Sequence, residues 1–549
     1  MVEDTEFDVV VVGSGGAGMT AALCAAHQGL RAVVVEKAER FGGSTARSGG
    51  GLWIPNNDVL RAAGVADTPE QASTYLAHIV GDVVPPELRQ AFLDAGPAML
   101  DFVRERTPLD FSWVRDYSDY YPEAPGGKPG GRSVEPRPLN AAVLGAESTN
   151  LADPYIPTPS GIVVTAADYR WLTLVARHPR GLLAAARVFS RRFRRGRLLT
   201  MGQALAAGLR AGLLAADVPV RLNTPLVDLH VEDGRVAGVL VGDGELIRAR
   251  HGVLLAAGGF EHNERLRKEH QRAPIGTEWT AGAKSNTGDG IEAGIRVGGA
   301  IGLMDDAWWG PSVPLPSGPY FCLAERTQPG SIMVNAAGQR FVNEAAPYVD
   351  AVHAMYDGNM PTWLIADQRY RDRYPFAGLV PRQPFPGRWY KAGVVHRADT
   401  VEELAKLVDL PADVLAETVR RFNDLAESGR DEDFRRGDSA YDRYYGDPRN
   451  RPNPCLAPLR KPPFHAVRIV PGDLGTKGGL RTDARARVLR EDGTVIPGLY
   501  AAGNTSASVM GHTYAGPGAT LGPSMTFGYL AALDIAASAN TDDSRGGTP

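Results

Sequence analysis

The sequence has little cysteine and little net charge. Its 549 residues include only three cysteines, Cys24, Cys322 and Cys455, and their spacing matches no metal-binding or redox motif. We therefore expect free thiols in a reducing compartment and no metal site. The formal net charge is −4 at pH 7, so the overall charge does not indicate a nucleic-acid partner.

Long apolar stretches are also missing. No uninterrupted hydrophobic run is long enough to cross a bilayer, and the acidic start MVEDTEFD leads into a strand pattern rather than a signal peptide. We therefore expect a cytoplasmic protein. The chain does have ample apolar material, since 43% of its residues are hydrophobic, and this predicts a large core in two domains.

The start of the chain has a pattern typical of dinucleotide binding. It predicts a buried strand, a glycine turn, a helix and a second strand, carried by VVVVGSGGAG (9–18) and AVVVEK (32–37). Gly13 permits the tight turn, Gly15 lets the backbone approach a pyrophosphate at the positive helix end, and Gly18 lets the helix pack close to the strand. Glu36, which ends the second strand, is placed to accept hydrogen bonds from an adenosine ribose.

Further segments favour FAD over NAD. They are rich in small residues or end a strand in a glycine turn: GGSTARSGGG (42–51), LLAAGGF (254–260), NTGDG (286–290) and LYAAGN (499–504). Each alone is an ordinary turn signal, but their joint occurrence predicts that the backbone wraps an extended FAD. The predicted cofactor-binding residues are Gly13, Ser14, Gly15, Gly18, Glu36, Lys37, Gly43, Ser44, Thr45, Gly49, Gly50, Ala257, Gly258, Asp289, Gly503, Asn504 and Leu521.

The order of these segments predicts an α/β fold, with a Rossmann-like FAD-binding domain and an inserted α+β domain that carries catalytic groups. Residues 1–304 form the first part of the FAD-binding domain, with a basic helical insertion at about 165–200. Residues 305–465 are richer in aromatics, prolines and charged helices and form the inserted catalytic domain, and residues 466–549 complete the FAD-binding domain. VEDGRV (231–236) predicts a hairpin that turns through an Asp-Gly pair.

Six segments are distinctive: FGGSTARSGGG (41–51), SDYYPEAPGG (118–127), DDAWWGP (305–311), GQRFVNEAAPYV (338–349), GDLGTKGGLRTD (472–483) and MGHTYAGPGATLGPSMTFGYLAA (510–532). Through these segments, the chain resembles the fumarate reductase and succinate dehydrogenase flavoprotein superfamily. Within this superfamily, it resembles the 3-ketosteroid Δ1-dehydrogenases over nearly its whole length. Covalent members of the superfamily attach the flavin to a histidine near the position of Ser44 and Thr45. No histidine occurs within 41–51, so we expect a non-covalent FAD.

The resemblance implies 1,2-desaturation of 3-ketosteroids in steroid catabolism. Tyr514 and the backbone N–H of Gly518, in the first turn of the closing helix, would bind the C3 carbonyl oxygen and stabilise an enolate. Tyr348 would take a proton from C2, while flavin N5 takes a hydride from C1. Because a free phenol has a pKa of about 10, Tyr348 needs a second hydroxyl to stabilise its phenolate. The resemblance gives this role to Tyr120, although its neighbour Tyr121 is not separable from it.

Three other functions stay open. A fumarate reductase would need a clamp of arginine and histidine around its dicarboxylate, whereas the motif with Tyr514 suits a neutral ketone. A steroid dehydrogenase or ene-reductase acting at the 4,5 position would share the ketone anchor. A flavin-binding redox sensor or membrane-docked scaffold would bind flavin that steroid does not reduce. Since the chain shows no second redox centre, an enzyme would pass its electrons to an external acceptor such as a quinone.

Two motifs have no assigned role. Lys477, in LGTKGG, could contact the cofactor or close a loop. Trp308 and Trp309 could line an apolar steroid pocket or pack the domain junction, and packing is the more common role for such residues.

No aspartate or glutamate occurs between Tyr169 and Ala216. Within this stretch, residues 177–197 carry eight arginines and predict one helix. Its two faces are apolar (Leu182, Ala186, Phe189 and Phe193) and basic (Arg187, Arg191, Arg194 and Arg195). Such a helix can lie on an anionic membrane surface and load steroid from it. The alternative is a helix packed on its own protein with a solvated arginine face.

Overall fold

The computed structural model describes residues 5–155, 163–191 and 196–546, with side chains described up to residue 540. Within these ranges most strands belong to two large sheets, and the cysteines are all buried and free. None of the helices in this part of the chain is long and apolar enough to cross a bilayer.

The first large sheet has eight strands in the described part of the chain: β1 (Glu6–Val12), β2 (Ala32–Val35), β8 (Val220–Arg221), β9 (Leu226–Glu232), β10 (Arg235–Val241), β11 (Glu245–Leu255), β20 (Arg487–Leu489) and β21 (Val495–Ala501). The order β21-β11-β1-β2-β8 is parallel throughout, as expected for strands that read as continuous apolar runs buried on both faces. The β9–β10 hairpin turns through Asp233 and Gly234, as predicted. The predicted α/β fold class is confirmed.

The second large sheet has six described strands: β13 (Ala307–Leu315), β14 (Gly318–Phe321), β15 (Ser331–Val334), β16 (Thr362–Asp367), β17 (Val395–Ala398) and β18 (Phe464–Thr476). Its order is β14-β13-β18-β16-β15, with β17 also on β18, and every pairing is antiparallel. The domain boundary predicted between residues 465 and 466 falls inside β18.

Three small sheets lie beside the large ones. Their strands are β3 (Leu52–Trp53), β4 (Phe111–Trp113) and β5 (Ser133–Pro136); β6 (Leu139–Asn140) and β7 (Leu198–Leu199); and β12 (Ile301–Gly302) and β19 (Gly479–Leu480). The pair β12–β19 lies where the chain passes between the two large sheets.

The described α-helices are α1 (Gly16–His27), α2 (Gly43–Arg47), α3 (Asp58–Ala62), α4 (Pro69–Val80), α5 (Pro86–Arg106), α6 (Ala166–Leu172), α7 (Pro179–Ser190), α8 (Met201–Ala215), α9 (Glu264–His270), α10 (Asp289–Arg296), α11 (Ala324–Thr327), α12 (Tyr348–Tyr356), α13 (Gln368–Arg373), α14 (Gly387–Lys391), α15 (Val401–Leu407), α16 (Ala412–Ser428), α17 (Ala440–Tyr444) and α18 (Leu521–Gly546). Helices α1 and α18 pack closely, because Gly528 brings α18 so near that a Cβ there would lie 2.4 Å from the Ala17 carbonyl oxygen.

In the described residues, helix α7 covers part of the predicted basic helix, and its apolar face is exposed. Helix α7 ends at Ser190, and Phe193, Arg194 and Arg195 lie outside the described residues. The helix buries a face of small residues, Gly181, Ala184 and Val188, against the protein. The predicted apolar face is instead exposed, with Leu182 63% and Phe189 57% accessible and Ala186 also at the surface. The helix packs on the protein through these small side chains, and contact of its apolar face with a membrane stays a prediction.

Two arginines of the predicted basic face are not simply solvated. Arg187 and Arg191 both donate to the buried carboxylate of Asp168, on the neighbouring helix α6. These bonds hold α6 and α7 together as a helical hairpin.

Candidate active site

A cavity of about 430 Å³ lies between the carboxyl ends of the parallel strands and the second sheet. Every predicted cofactor-binding residue except Gly18 lines it, as do Tyr120, Tyr348, Tyr514 and Gly518. Gly18 lies outside the cavity and has the packing role that the motif predicts for it, since a Cβ there would lie 2.0 Å from the Gly13 carbonyl oxygen. The fold therefore brings the predicted cofactor-binding and catalytic residues to one space, although they are spread over the whole chain.

The glycine turn after β1 lines this cavity with its backbone. Gly13 has a φ of +105°, and a Cβ there would lie 2.3 Å from the Ala256 carbonyl oxygen, so no side chain fits. Gly15 precedes the first residue of α1, and Thr45 Oγ1 accepts a hydrogen bond from Gly16 N at 2.9 Å. Gly15, Gly16 and Ala17 line the cavity, so the N-terminus of α1 is placed to hold a pyrophosphate there.

Acidic and basic side chains are fixed at the end of β2. Glu36 Oε2 accepts hydrogen bonds from Ser14 N at 3.0 Å and Ser14 Oγ at 2.7 Å, and Glu36 Oε1 accepts from Ala38 N at 2.9 Å. Lys37 pairs with Asp289, whose Oδ2 lies 2.6 Å from the lysine Nζ. These residues surround the place where the dinucleotide motif positions an adenosine ribose.

Three tyrosines meet at the other part of the cavity. The ring centres of Tyr120, Tyr348 and Tyr514 lie 5.1 to 5.3 Å apart, and all three side chains are buried. The Tyr120 hydroxyl donates to the Tyr348 hydroxyl at 3.0 Å, whereas the Tyr121 hydroxyl donates to Asp350 Oδ1 at 2.8 Å. Of the two neighbouring tyrosines, Tyr120 is therefore the one that reaches Tyr348.

Burial controls the proton affinity of these phenols. It raises the pKa of Tyr348 well above the ordinary value, and the hydrogen bond with Tyr120 offsets only part of this rise. Burial also raises the pKa of Tyr514, which is lowered in turn by hydrogen bonds from Thr520, Tyr348 and the Gly518 N–H. Both phenols are neutral at pH 7, so Tyr514 is a hydrogen-bond donor there.

Gly518 lies just before the closing helix rather than in its first turn. Helix α18 begins at Leu521, and Gly518 has a φ of +96°, a left-handed conformation that only glycine adopts readily. A Cβ at this position would lie 2.4 Å from the carbonyl carbon of Gly51. This tight turn places Gly518 beside the Tyr514 hydroxyl, and both residues line the cavity.

The remaining lining of the cavity includes these apolar and aromatic side chains: Val114, Tyr117, Tyr155, Tyr169, Tyr320, Phe321, Tyr445 and Leu474. Among the described lining residues, Arg47 is the one arginine and no histidine occurs. This lining suits a flat apolar ligand and offers no arginine–histidine clamp for a dicarboxylate.

The two tryptophans of DDAWWGP do not line the described cavity. Trp309 Nε1 donates to Asp306 Oδ1 at 2.6 Å, and Trp308 Nε1 donates to Asn504 Oδ1 at 3.0 Å. Both side chains are buried, Trp308 against the Tyr514 ring and Trp309 against the Tyr356 ring.

Comparison with known proteins decides the family. The profile of the FAD binding domain family matches residues 8–521. The 3-oxosteroid 1-dehydrogenase of Mycobacterium tuberculosis (strain ATCC 25618 / H37Rv) is 59% identical, over 97% of this chain and 98% of its own length. The chain belongs to the 3-oxosteroid 1-dehydrogenase family. A further member, from Comamonas testosteroni, is 35% identical over 97% of each chain.

A solved structure supports the same assignment. The crystal structure of 3-ketosteroid Δ1-dehydrogenase from Sterolibacterium denitrificans, in complex with 1,4-androstadiene-3,17-dione, matches with a TM-score of 0.92 and 42% identity. The match covers 97% of this chain and all of the other. As a member of this family, the chain is an FAD-dependent oxidoreductase, and the glycine-lined cavity fits that cofactor.

Two features of the site were not predicted from the sequence. Thr520 Oγ1 donates to the Tyr514 hydroxyl at 3.0 Å, and its position in the same motif, two residues after Gly518, was the only signal available. Tyr445 donates to the hydroxyl of Tyr117 at 3.2 Å, deeper in the cavity wall. No local pattern marks Tyr445, because its partner lies far away in the sequence.

Proposed function

We propose that the protein removes the C1 and C2 hydrogens of 3-ketosteroids and so forms 1-en-3-ones. The observation that carries this proposal is the cluster of three buried tyrosines beside Gly518, at the end of a cavity lined by the glycine turns of an FAD site. The names of the relatives agree with it, since they are 3-oxosteroid 1-dehydrogenases.

The chemistry requires one C–H bond to become acidic. The Tyr514 hydroxyl and the Gly518 N–H would donate to the C3 carbonyl oxygen and stabilise the negative charge that develops there. Tyr348 would then accept the proton from C2, helped by the hydroxyl of Tyr120. The apolar wall around these groups keeps water away from the developing charge.

Bound FAD supplies the acceptor for the hydride that leaves C1. The residues that would hold it are the glycine turns, Glu36, Thr45 and the pair Lys37–Asp289. We propose a non-covalent FAD, because no histidine or cysteine lines the described cavity. The electrons would leave to an external acceptor such as a quinone.

Anaerobic mixing with androst-4-ene-3,17-dione tests the proposal. We expect the flavin absorbance to bleach and the product to carry a new double bond between C1 and C2, identified by NMR. A product altered at the 4,5 position would favour the related steroid dehydrogenase. A bound flavin that the steroid does not bleach would instead indicate a sensor or scaffold.

The rate of flavin reduction is expected to rise with pH. The active form of Tyr348 is deprotonated, and burial raises its pKa, so below that pKa the phenolate fraction grows about tenfold per pH unit. Tyr120→Phe removes the hydrogen bond that lowers this pKa and should slow reduction about 10- to 100-fold at each pH, as for a hydrogen bond to a charged group.

Stopped-flow reduction between about pH 6 and pH 10 measures this effect. Tyr121→Phe is the matched control, because its hydroxyl bonds to Asp350 rather than to Tyr348. Equal rates for Tyr120→Phe and the unmodified protein would remove Tyr120 from the mechanism.

We also propose that the α6–α7 hairpin contacts an anionic membrane surface from the cytoplasmic side. Its inner side reaches the cavity through Ala166 and Tyr169. Its outer side exposes Leu182 and Leu183, each 63% accessible, beside exposed arginines that include Arg180. Apolar side chains flanked by arginine suit the headgroup region of anionic lipid, and steroid substrates partition into such membranes.

Replacing Leu182 and Leu183 together by serine should weaken co-sedimentation with phosphatidylglycerol vesicles by about tenfold or more, because both leucines lose apolar contact with lipid. Leu407→Ser is the control, since Leu407 is 53% exposed and lies on helix α15, outside the α6–α7 hairpin. Sedimentation that is unchanged by the paired replacement would exclude this surface.

A further inference from the structure

The chain passes between the two large sheets at residues 301–307 and again at 476–480. The two passages are bonded to each other on both sides: Ile301 pairs with Leu480, and Ala307 pairs with Thr476. Between these pairings the Lys477 N–H donates to the Asp306 carbonyl oxygen at 3.1 Å. The junction of the two sheets therefore places Asp306 opposite Lys477.

The Asp306 carboxylate contacts both segments that carry the proposed catalytic tyrosines. His353 Nε2 lies 3.0 Å from Oδ1, and His512 Nδ1 lies 3.1 Å from Oδ2. His353 belongs to helix α12, whose first residue is Tyr348, and His512 is two residues before Tyr514. One buried carboxylate thus connects the proposed base to the proposed ketone-binding loop.

Lys477 adds a second connection to the same loop. Its Nζ lies 3.3 Å from Asp306 Oδ2 and donates to the Thr513 carbonyl oxygen at 2.9 Å. The ammonium group also lies 5.0 Å from the ring centre of Trp308, and this ring contacts the Tyr514 ring at 5.1 Å. The Lys477 side chain is fully buried, so its charge is held by these neighbours rather than by water.

Such a charged pair is a poor choice for stability alone. The desolvation free energy of a carboxylate and an ammonium group offsets much of the free energy of their electrostatic attraction. Apolar side chains of similar size often stabilise a protein as much as such a pair does. Lys477 and the two histidines hold the pKa of Asp306 below its ordinary value despite burial, whereas burial lowers the pKa of Lys477 although Asp306 opposes this. A role in fixing the geometry of the site explains why these two charged residues are buried together.

We propose that Asp306 and Lys477 are positioning residues, which hold the Tyr514 loop and the Tyr348 helix at the separation that dehydrogenation requires. This inference rests on the proposed function. The ketone oxygen and the C2 hydrogen belong to adjacent carbons, so their two protein partners must be aligned together. A misplacement of about 1 Å can cost roughly 100-fold in rate.

A double-mutant cycle tests the proposal in the FAD-bound enzyme. Lys477→Met should slow flavin reduction at saturating steroid by about 10- to 100-fold, with less than about a threefold change in steroid affinity. In a Tyr514→Phe background the same replacement should cost less than about threefold, because Lys477 acts through the position of Tyr514. A purely structural role would give the same factor in both backgrounds.

The paired variant Asp306→Asn/Lys477→Met removes both charges and leaves no lone buried ion, so it serves if Lys477→Met alone does not fold. The expected changes in flavin-reduction rate and in steroid affinity are the same as for Lys477→Met. Arg267→Met is the matched control, since Arg267 forms a buried pair with Asp473 at 2.8 Å and neither residue lines the cavity. We expect its flavin reduction to stay within about threefold of the unmodified rate.

Two results would overturn the positioning role: equal losses in both backgrounds, or a loss confined to steroid affinity. The unmodified enzyme and Tyr514→Phe are measured in the same series. If the unmodified enzyme is not reduced by steroid, the proposed function itself fails, and this outcome is distinct from the other two.

Discussion

Tyr348→Phe is expected to leave FAD bound and to slow flavin reduction by androst-4-ene-3,17-dione about 1,000-fold, within the range of 10² to 10⁴ typical of a lost general base. The phenyl ring preserves the contacts of the tyrosine ring with Tyr120, Phe321 and Tyr514. What is lost is the oxygen atom that would accept the C2 proton. Anaerobic stopped-flow measurement of the flavin absorbance gives the rate.

Tyr444→Phe controls for the loss of a buried hydroxyl. Tyr444 is buried and stacks on Tyr117 with ring centres 4.2 Å apart, but it does not line the described cavity. We expect this variant to keep the unmodified rate within about threefold, like most changes away from the reacting groups. Normal reduction by Tyr348→Phe, with the flavin in place, would assign the proton to another group.

Tyr514→Phe is expected to slow reduction by about 10² to 10³-fold, the usual effect of removing one oxyanion donor. The Gly518 N–H would remain as the second donor, so some activity should persist. Since the charge on the ketone oxygen develops mainly in the transition state, the rate should fall much more than the steroid affinity. Stopped-flow titration with steroid separates the two quantities.

The neighbouring hydroxyl offers a control for this second prediction. Thr520→Val removes the donor to Tyr514 Oη but leaves the Tyr514 hydroxyl itself in place. We expect a loss below about tenfold, as for a neutral hydrogen bond. A Tyr514→Phe variant that binds steroid weakly but reduces FAD at the normal rate would contradict transition-state stabilisation by this residue.

Local sequence patterns predicted the cofactor half of the fold well. The parallel strands are continuous apolar runs, and the turn at Gly13 needs a conformation that glycine supplies. The hairpin at Asp233 and Gly234 follows the same kind of rule. These features depend on residues close together in the sequence, so they can be predicted from the sequence without a structure.

The pairing within the catalytic cluster could not be derived in this way. Tyr120 and Tyr121 are neighbours in the sequence, and only the packing of α12, 228 residues away, shows that Tyr120 meets Tyr348. The position of Gly518 outside α18 depends on its close approach to Gly51. Family resemblance named these residues, but their geometry depends on contacts between distant segments.

The cofactor motif, the family and the identity of the tyrosines can be predicted from the sequence, because short-range backbone rules and distinctive motifs depend on consecutive residues. The buried face of α7 and the groups around Asp306 depend instead on contacts between distant segments. The partner of Asp306 at Lys477 is 171 residues away, and a buried charge acquires its role only from the neighbours that the fold brings to it.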